Sequence, residues 1–367
     1  MINKLVWENL KHRWVRTFLC ALVVGVQVML ILTLIGLSRG MMQDTAERQK
    51  GTGADIFMKP DTGGTMSFSS GQMNQKFVGF VAQQPHVKQA VGVLSVNVET
   101  ITSLNGTDIP QFEKISTGFR FVEGGPPANP DDLIVDQYYA QQHKLKIGST
   151  VKLLNHNWRV CGIIQGGMLG RLVVQLKRLQ ELTGNGEPPR ISEILVKLDD
   201  PALTNQEVAR FNEVLKGNLK AISTEELVSQ LNINNIPQLR AFITVVTFLA
   251  VVVGFLVVFL SMYTAVVERT REIGILKALG AKPVKILDIL VREAILLALV
   301  GCLIGILLSF GAKALIMGLM PASLQVITVP DWWPRAAAIA LGGALLGAIY
   351  PGLKAARQDA IEALAYE

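Results

Sequence analysis

Four stretches of the chain contain no charged side chain and are long enough to cross a lipid bilayer as helices. They are residues 18–37, 241–267, 294–312 and 336–353. A bilayer core needs a helix of about 20 apolar residues. The pattern therefore predicts four transmembrane helices, of which the last, built mostly of alanine and glycine, gives the weakest signal.

The segment between the first two stretches has a different pattern, in which short alternating runs and short amphipathic runs follow one another. Alternation of apolar and polar residues indicates strands, and apolar residues spaced by three and four indicate helices. Strands are expected at 93–101, at 149–164 as a pair with a turn at 155–157, and at 192–198, and helices at 205–217 and 224–231. The expected fold class is an α-helical membrane protein with a mixed α/β domain of two lobes, inserted between transmembrane helices 1 and 2.

Charged residues are sparse, and the basic ones lie beside the apolar stretches. The 367 residues are 50% hydrophobic and 17% charged, with a net charge of +6. Residues 1–17 and 264–293 carry an excess of basic side chains, whereas 38–241 is nearly neutral. Basic residues that flank spans mark the cytoplasmic side, so both termini are expected there and the α/β domain outside. No basic stripe with interleaved aromatic residues occurs, which argues against a nucleic-acid partner.

These observations divide the chain into nine predicted segments. In chain order they are a cytoplasmic amphipathic helix (1–17), the first span (18–37), the extracytoplasmic α/β domain (38–240), the second span (241–267), a cytoplasmic helix and loop (268–293), the third span (294–312), a short outer loop (313–335), the fourth span (336–353) and a cytoplasmic tail (354–367).

Motifs that would indicate catalysis are weak. Residues 36–40 fit the G-x-S-x-G pattern of a hydrolase nucleophile elbow, but that motif requires a strand before the serine and this one ends a predicted span. The phosphate-loop pattern G-x-x-x-x-G-K-[ST] does not occur, and the four histidines lack metal-ligand spacing. We therefore expect no catalytic residue, metal or cofactor on this chain.

Two spans contain the G-x-x-x-G motif, which lets helices approach closely. One pair is Gly301 and Gly305, and the other is Gly343 and Gly347. We expect these glycines to form the contact between the third and fourth spans. The alternative is a seam between two permease chains.

The most informative segment follows the second span directly and reads ERTREIGILKALGA, residues 268–281. Its charges alternate at i,i+3 spacing, with Glu268 facing Arg271 and Arg269 facing Glu272. We interpret the four large apolar residues of this segment as one apolar side of a short helix. They are Ile273, Ile275, Leu276 and Leu279.

A helix of this kind either lies on the membrane surface or docks a cytoplasmic partner. Gly280 suits its C-terminal cap. The candidate docking residues are Arg269, Thr270, Arg271, Glu272, Ile275, Leu276, Lys277, Leu279 and Gly280.

The same segment resembles the signature of FtsX-like permeases, the membrane subunits of the MacB and lipoprotein-releasing (type VII) ABC systems. Three other segments agree with the resemblance. Residues 5–22 resemble the family's basic helix entering the first span, 53–56 the start of its periplasmic domain, and 350–364 its C-terminal tail. Ala360 departs from the proline that is usual there.

The resemblance implies a non-enzymatic permease of the bacterial inner membrane. In that family two permease subunits form eight spans over two ATPase subunits, and ATP-driven dimerisation moves the outer domains, a mechanism called mechanotransmission. The implied partners are a second permease, identical or related, a separate ATPase that binds ATP and magnesium, and membrane lipid. A periplasmic adaptor and an outer-membrane channel are optional further partners. The implied substrate is hydrophobic or amphipathic.

Two other classes of function remain open. A signalling permease would use the same motion to regulate a cell-wall hydrolase without transport, and a receptor or enzyme would act through its outer domain alone. The predicted outer domain of about 200 residues favours export, because the resemblance implies a shorter outer domain for signalling members of the family. The predicted docking helix and the missing catalytic set argue against the third class.

Overall fold

The computed structural model describes residues 14–61, 71–98, 102–166, 168–231, 235–320 and 324–357. It divides into two compact units. Among the described residues, the helical unit comprises 14–39, 237–316 and 326–357, and the sheet unit comprises those of 40–236 and 317–325. Most of the predicted segments 1–17 and 354–367 lies outside the described residues, as do the predicted strand residues 99–101.

In the described part of the chain, one long helix is followed by short strands and helices and then by three further long helices. The helices are α1 (Trp14–Gly51), α2 (Lys76–Ala82), α3 (Ile109–Ile115), α4 (Gln137–His143), α5 (Leu176–Leu182), α6 (Thr204–Val214), α7 (Thr224–Gln230), α8 (Pro237–Glu268), α9 (Thr270–Ala278), α10 (Pro283–Leu319) and α11 (Trp333–Arg357). The strands are β1 (Ile56–Pro60), β2 (Met73–Asn74), β3 (Val87–Asn97), β4 (Ser103–Thr107), β5 (Phe121–Gly124), β6 (Asp132–Asp136), β7 (Thr150–Leu153), β8 (His156–Ile164), β9 (Leu172–Gln175), β10 (Arg190–Ile191), β11 (Glu193–Leu198) and β12 (Leu219–Ser223).

Four of the helices, α1, α8, α10 and α11, are long and apolar enough to cross a membrane, which confirms that part of the expected fold class. Each is longer than the uncharged stretch it contains; α1, for example, has 38 residues. Residues 36–40 lie inside α1, where the Ser38 hydroxyl donates to the carbonyl of Leu34 at 2.8 Å. The strand that a nucleophile elbow requires does not precede Ser38.

Small side chains form much of the core of the helical unit. Six alanines of α10 and α11 that belong to one buried cluster are at most 2% exposed: Ala294, Ala298, Ala336, Ala340, Ala344 and Ala348. They pack with larger residues of α1 and α8, among them Val28 and Val258. Small residues let helix backbones approach closely, which is how helices associate where lipid removes the hydrophobic drive between them.

A ten-stranded sheet runs through the sheet unit, in the order β12-β1-β11-β3-β4-β9-β6-β8-β5, with β7 paired to β8, and β2 pairs with β10 in a separate two-stranded sheet. The β4–β9 and β6–β8 pairs are parallel and the other pairs are antiparallel. The domain is therefore mixed α/β as expected, but the expectation of two lobes is wrong. The strands on either side of the β4–β9 pair belong to one continuous sheet.

Both faces of this sheet are covered. On β1, Ile56 and Met58 belong to one buried cluster, whereas Phe57 between them belongs to the other. Successive side chains of a strand point to opposite faces, so burial of all three requires packing on both sides. Helices α2, α5 and α6 contribute to the first cluster, and α3 contributes to the second.

The expected hairpin at 149–164 is present, with its turn shifted. Leu154 and Asn155 both have positive φ values, 52° and 59°, as a two-residue hairpin turn requires. His156 and Asn157 lie already in β8, where Asn157 pairs with Lys152. The strand at 192–198 and the helices near 205–217 and 224–231 are confirmed as β11, α6 and α7.

The first and last strands of the domain are neighbours. β1 pairs with β12 in antiparallel register, with Ile56 opposite Ser223. Just outside this pair, the Thr224 amide donates to the carbonyl of Asp55 at 2.9 Å. The strand that follows α1 and the strand that precedes α7 therefore lie side by side.

Candidate coupling site

The predicted docking segment forms a short helix, α9, between the long helices α8 and α10. A single residue, Arg269, separates it from α8. At its other end Gly280 has φ +87°, and its N–H donates to Lys277 O at 2.9 Å while the N–H of Ala281 donates to Leu276 O at 3.0 Å. This pair of bonds is the Schellman C-cap, which needs a left-handed residue and therefore favours glycine. The predicted cap at Gly280 is confirmed.

One side of α9 is packed onto the helical unit. Ile273 is 8% exposed and lies in a cluster with Val266, Ile286, Leu290 and Ala355, which come from three long helices. Thr270, also buried on this side, donates its hydroxyl hydrogen to the carbonyl of Val267 at 2.8 Å. This side of α9 is therefore occupied by the chain's own residues.

Polar contacts attach the same segment to two further helices. The Arg269 guanidinium forms an ion pair with Glu293 of α10 at 3.0 Å, and both side chains are largely buried. The Lys277 ammonium donates to the carbonyl of Ala356 near the end of α11 at 2.8 Å. At the end of α8, Glu268 pairs with Arg16 of α1 at 2.8 Å. The α9 segment is therefore attached to the adjoining ends of α8, α10 and α11, and α8 is in turn paired with α1.

The opposite side of α9 is exposed and carries both apolar and charged residues. Ile275 is 46% exposed and Leu279 is 80% exposed, and Arg271 and Glu272 are exposed beside them. Val284, at the start of α10, adds a third exposed apolar side chain.

The expectation that Ile273 shares one side with Ile275 and Leu279 is wrong. Residues two apart on a helix point in nearly opposite directions, and the structure buries Ile273 while it exposes Ile275. Leu276 is half-buried between the two sides.

The predicted docking residues therefore fall into two groups. Arg271, Glu272, Ile275, Leu279 and Gly280 lie on the exposed side, where a partner can reach them. Arg269, Thr270 and Lys277 contact the chain's own helices, as described above. The sequence reasoning missed Glu293, which lies next to an uncharged stretch, and Val284. The signal available in the sequence was the position of Glu293 directly before a span, where a charged residue usually needs a partner.

The glycine pairs contact different helices from those expected. A Cβ atom on Gly301 would lie 2.7 Å from Val24 Cβ, and one on Gly305 would lie 2.6 Å from Gly25 O, both on α1. A Cβ atom on Gly347 would lie 3.0 Å from Phe255 O of α8.

Gly343 also faces α8, although less closely. The third span therefore uses its motif against the first, and the fourth span uses its motif against the second. The expectation that these glycines form the contact between the third and fourth spans is therefore wrong.

Four long apolar helices, a short helix attached to their ends and a large α/β domain define a polytopic membrane protein that carries a folded domain. Residues 17–214 match the MacB-like periplasmic core domain, and residues 244–360 match the FtsX-like permease C-terminal family. The first of these matches covers more than half of the chain. The chain belongs to the family of MacB-like and FtsX-like permeases.

Curated relatives span the same family. The macrolide export ATP-binding/permease protein MacB of Hahella chejuensis is 25% identical in an alignment of 394 positions that covers 99% of this chain and 60% of the relative. The uncharacterized ABC transporter permease YknZ of Bacillus subtilis is 28% identical over 232 residues, which cover 60% of this chain and 55% of the relative. The chain thus spans about three fifths of the length of these relatives or less.

Among solved structures, the chain matches the crystal structure of the periplasmic region of MacB from Actinobacillus actinomycetemcomitans. It is 15% identical, with a TM-score of 0.38, and covers 50% of this chain and 95% of that one. Family membership and the four long apolar helices together identify a multi-pass protein of the bacterial inner membrane. The side on which each terminus lies stays a prediction.

Proposed function

We propose that the chain is the permease subunit of an ABC exporter that works by mechanotransmission. Two copies of a partner ATPase subunit bind and hydrolyse ATP on the cytoplasmic side. The resulting motion passes through the long helices to the α/β domain, which drives export or extraction of a hydrophobic or amphipathic substrate. A second permease chain completes the membrane assembly. The names of the relatives, a macrolide export ATP-binding/permease protein and an ABC transporter permease, support this class of function.

The observation that carries the proposal is the two-sided character of α9. One side is held by Ile273 and by the Arg269–Glu293 ion pair, so the helix has a fixed position. The other side presents Ile275 and Leu279 to solvent. Full burial of an Ile or Leu side chain is worth roughly 1.5–3 kcal/mol, so a partner groove that covers both gains appreciable affinity.

The charges beside these two residues favour a protein groove over lipid. Arg271 and Glu272 lie on the same exposed side, within one turn of Ile275. Immersion of this side in the acyl region would desolvate a carboxylate and a guanidinium, at a cost that exceeds the gain from two aliphatic side chains. A groove on an ATPase subunit can bury the apolar pair and leave the charges paired or hydrated at its rim.

The experiment is the double substitution Ile275→Asp with Leu279→Asp. Both side chains are exposed, so the helical unit should fold and insert as in the wild type. We expect co-purification of the ATPase to fall by at least about thirtyfold, because a central apolar anchor contributes roughly 2 kcal/mol or more. Export activity should be lost in parallel.

The matched control is Val122→Asp with Val214→Asp, two valines of the sheet unit that are 60% and 58% exposed. This control should retain the ATPase at the wild-type yield. Capture of the ATPase by the Ile275/Leu279 variant at the control's yield would contradict the docking assignment. The signalling permease would instead be favoured if the wild type binds the ATPase but exports no substrate, and if its loss produces a cell-wall phenotype.

A further inference from the structure

Four charged side chains form a buried group in the sheet unit, which we call the ionic joint: Asp44, Arg48, Asp136 and Arg171. The Arg171 guanidinium contacts two carboxylates, Asp136 at 2.7 Å through Nη1 and Asp44 at 2.9 Å through Nη2. Arg48 forms an ion pair with the same Asp44 oxygen, one helical turn away from it. Two acids and two bases balance the charge of the joint.

The joint lies away from solvent. The side chains of Arg171 and Asp136 are 6% and 3% exposed, and those of Asp44 and Arg48 are 17% and 20% exposed. Burial raises the pKa of Asp136, and the charge of Arg171 opposes that shift. Arg171 therefore favours the charged form of the Asp136 carboxyl.

Further contacts fix the orientation of the joint. Asp136 caps α4 by accepting the Tyr139 N–H at 2.6 Å, and the Arg171 guanidinium carbon lies 5.7 Å from the centre of the Tyr138 ring. The backbone N–H of Asp136 donates to the carbonyl of Arg171 at 2.8 Å. These contacts hold the Arg171 fork in one direction, toward Asp44.

The joint connects one helix to the middle of the sheet. Asp44 and Arg48 belong to the last turns of α1, whereas Asp136 ends β6 and Arg171 immediately precedes β9. β6 and β9 are adjacent strands in the interior of the sheet order. Because α1 is one uninterrupted helix, the residues that hold the sheet continue the helix that contains the first predicted span.

Stability alone is a poor reason for this arrangement. Apolar residues of similar volume often replace a buried ion pair with no loss of stability, because desolvation cancels much of the attraction between the charges. An arginine fork between two carboxylates nevertheless fixes distance and angle, which an apolar contact does not. The joint therefore resists sliding and rotation of α1 against β6 and β9.

We propose that Asp44 and Arg48 are positioning residues that transmit displacement of α1 to the sheet through Arg171 and Asp136. This inference rests on the proposed function, since it concerns the path of an ATP-driven motion. It assigns the step from α1 to the sheet to these four side chains.

The test is the double variant Asp44→Leu with Arg48→Met in the full chain, assembled with its ATPase in lipid nanodiscs. The variant removes one acid and one base and leaves the Arg171–Asp136 pair neutral as a unit, so the domain should fold. Hydrogen exchange of residues 132–136 and 172–175 is compared between the nucleotide-free complex and the complex trapped with ATP and vanadate. We expect the nucleotide-dependent difference to shrink by roughly two- to thirtyfold, the range found when coupling networks are altered. ATP hydrolysis should continue at close to the wild-type rate.

The matched control is Glu207→Leu with Arg210→Met, which removes another ion pair with a buried carboxylate from the same unit. A purely structural role for the joint would speed exchange in both nucleotide states of the Asp44/Arg48 variant and leave the difference between them intact, which would overturn the inference. If that variant fails to fold, Arg171→Lys keeps the charge and removes the fork, and it should show the same loss of the nucleotide-dependent difference; a full difference there overturns the inference. Absence of any nucleotide-dependent difference in the wild type would count against the proposed function and not against the joint.

Discussion

The helical unit and the sheet unit are both well packed, but they use opposite kinds of side chain. Fully buried residues of the sheet unit include Trp158, Tyr139 and Phe112, whereas alanines such as Ala298 and Ala348 occupy the centre of the helical unit. In water, burial of large apolar surface drives folding. Between helices in lipid that drive is absent, and close approach of backbones takes its place.

The two units are therefore sensitive to different changes in side-chain size. A core of large side chains loses stability when a side chain is made smaller, because a cavity remains. A core of small residues loses it when a side chain is made larger, because the neighbour is a backbone that cannot move aside. The two units should therefore respond to opposite substitutions.

The largest effect is expected from Gly301→Leu with Gly305→Leu. Added side chains at these positions would collide with Val24 and with the backbone of Gly25 on α1. Helices α1 and α10 could then no longer pack at their native distance. Size-exclusion chromatography in detergent should show loss of the monodisperse species. Gly342→Leu is the control, because no other atom lies within 4 Å of a Cβ added there. Equal behaviour of the two variants would remove the distinction between the units.

A smaller effect is expected from Phe112→Ala in the sheet unit. Phe112 is 0% exposed and stacks on Phe119 with ring centres 5.2 Å apart. Truncation of a buried phenylalanine costs roughly 3–5 kcal/mol through the lost contacts and the cavity. Hydrogen exchange of β6 and β9 should report that loss, whereas Phe80→Ala, at a 43% exposed position of the same unit, should leave exchange unchanged. A comparable loss at Phe80 would contradict the cavity explanation.

The smallest effect concerns the reactivity of the native thiols. Burial raises the pKa of Cys161 from 9.0 to about 11, with a further contribution from the charge of Asp132. The thiolate is the reactive form, so at pH 8 the reactive fraction is roughly a hundredfold smaller than for an exposed cysteine. Maleimide labelling of the native chain should be slow at pH 8 and should rise steadily toward pH 11, and it should occur at Cys161 before Cys20 or Cys302, which are buried in the long helices.

An exposed cysteine introduced by Lys216→Cys gives the reference rate in the same sheet unit. Equal rates at pH 8 for Cys161 and this reference would show that the environment of Cys161 is more open than the structure has it. Faster labelling of Cys302 than of Cys161 would reverse the comparison between the units.

Local patterns in the sequence predicted local structure well. The alternation at 192–198 and the amphipathic spacing at 205–217 are properties of a few consecutive residues, and both elements are present. The hairpin turn was displaced by a residue because Asn155 and Asn157 are both good turn residues and the sequence does not show which adopts positive φ. The four apolar helices followed from length and composition.

Choice of partner could not be predicted in the same way. The motif at Gly301 and Gly305 identifies a helix face that accepts a close neighbour, yet nothing in it distinguishes α1 from α11. Likewise Arg171 meets an aspartate 127 residues away and another 35 residues away, and neither separation has a sequence signature. In the docking segment the error was different: a separation of two residues already places Ile273 and Ile275 on nearly opposite sides of a helix, and the packing of Ile273 against α8 and α10 agrees with that spacing.

The side-by-side position of β1 and β12 has a consequence for the history of the domain. Antiparallel neighbours lie about 5 Å apart, so the first and last strands of the large sheet lie side by side. A folded unit with adjacent ends can be inserted into a host chain, or exchanged for another, without altering the path of the host. The sheet unit is in this sense a cassette, and a shorter domain with equally close ends could occupy the same position between α1 and α8 while the helices and the surface helix α9 stay unchanged.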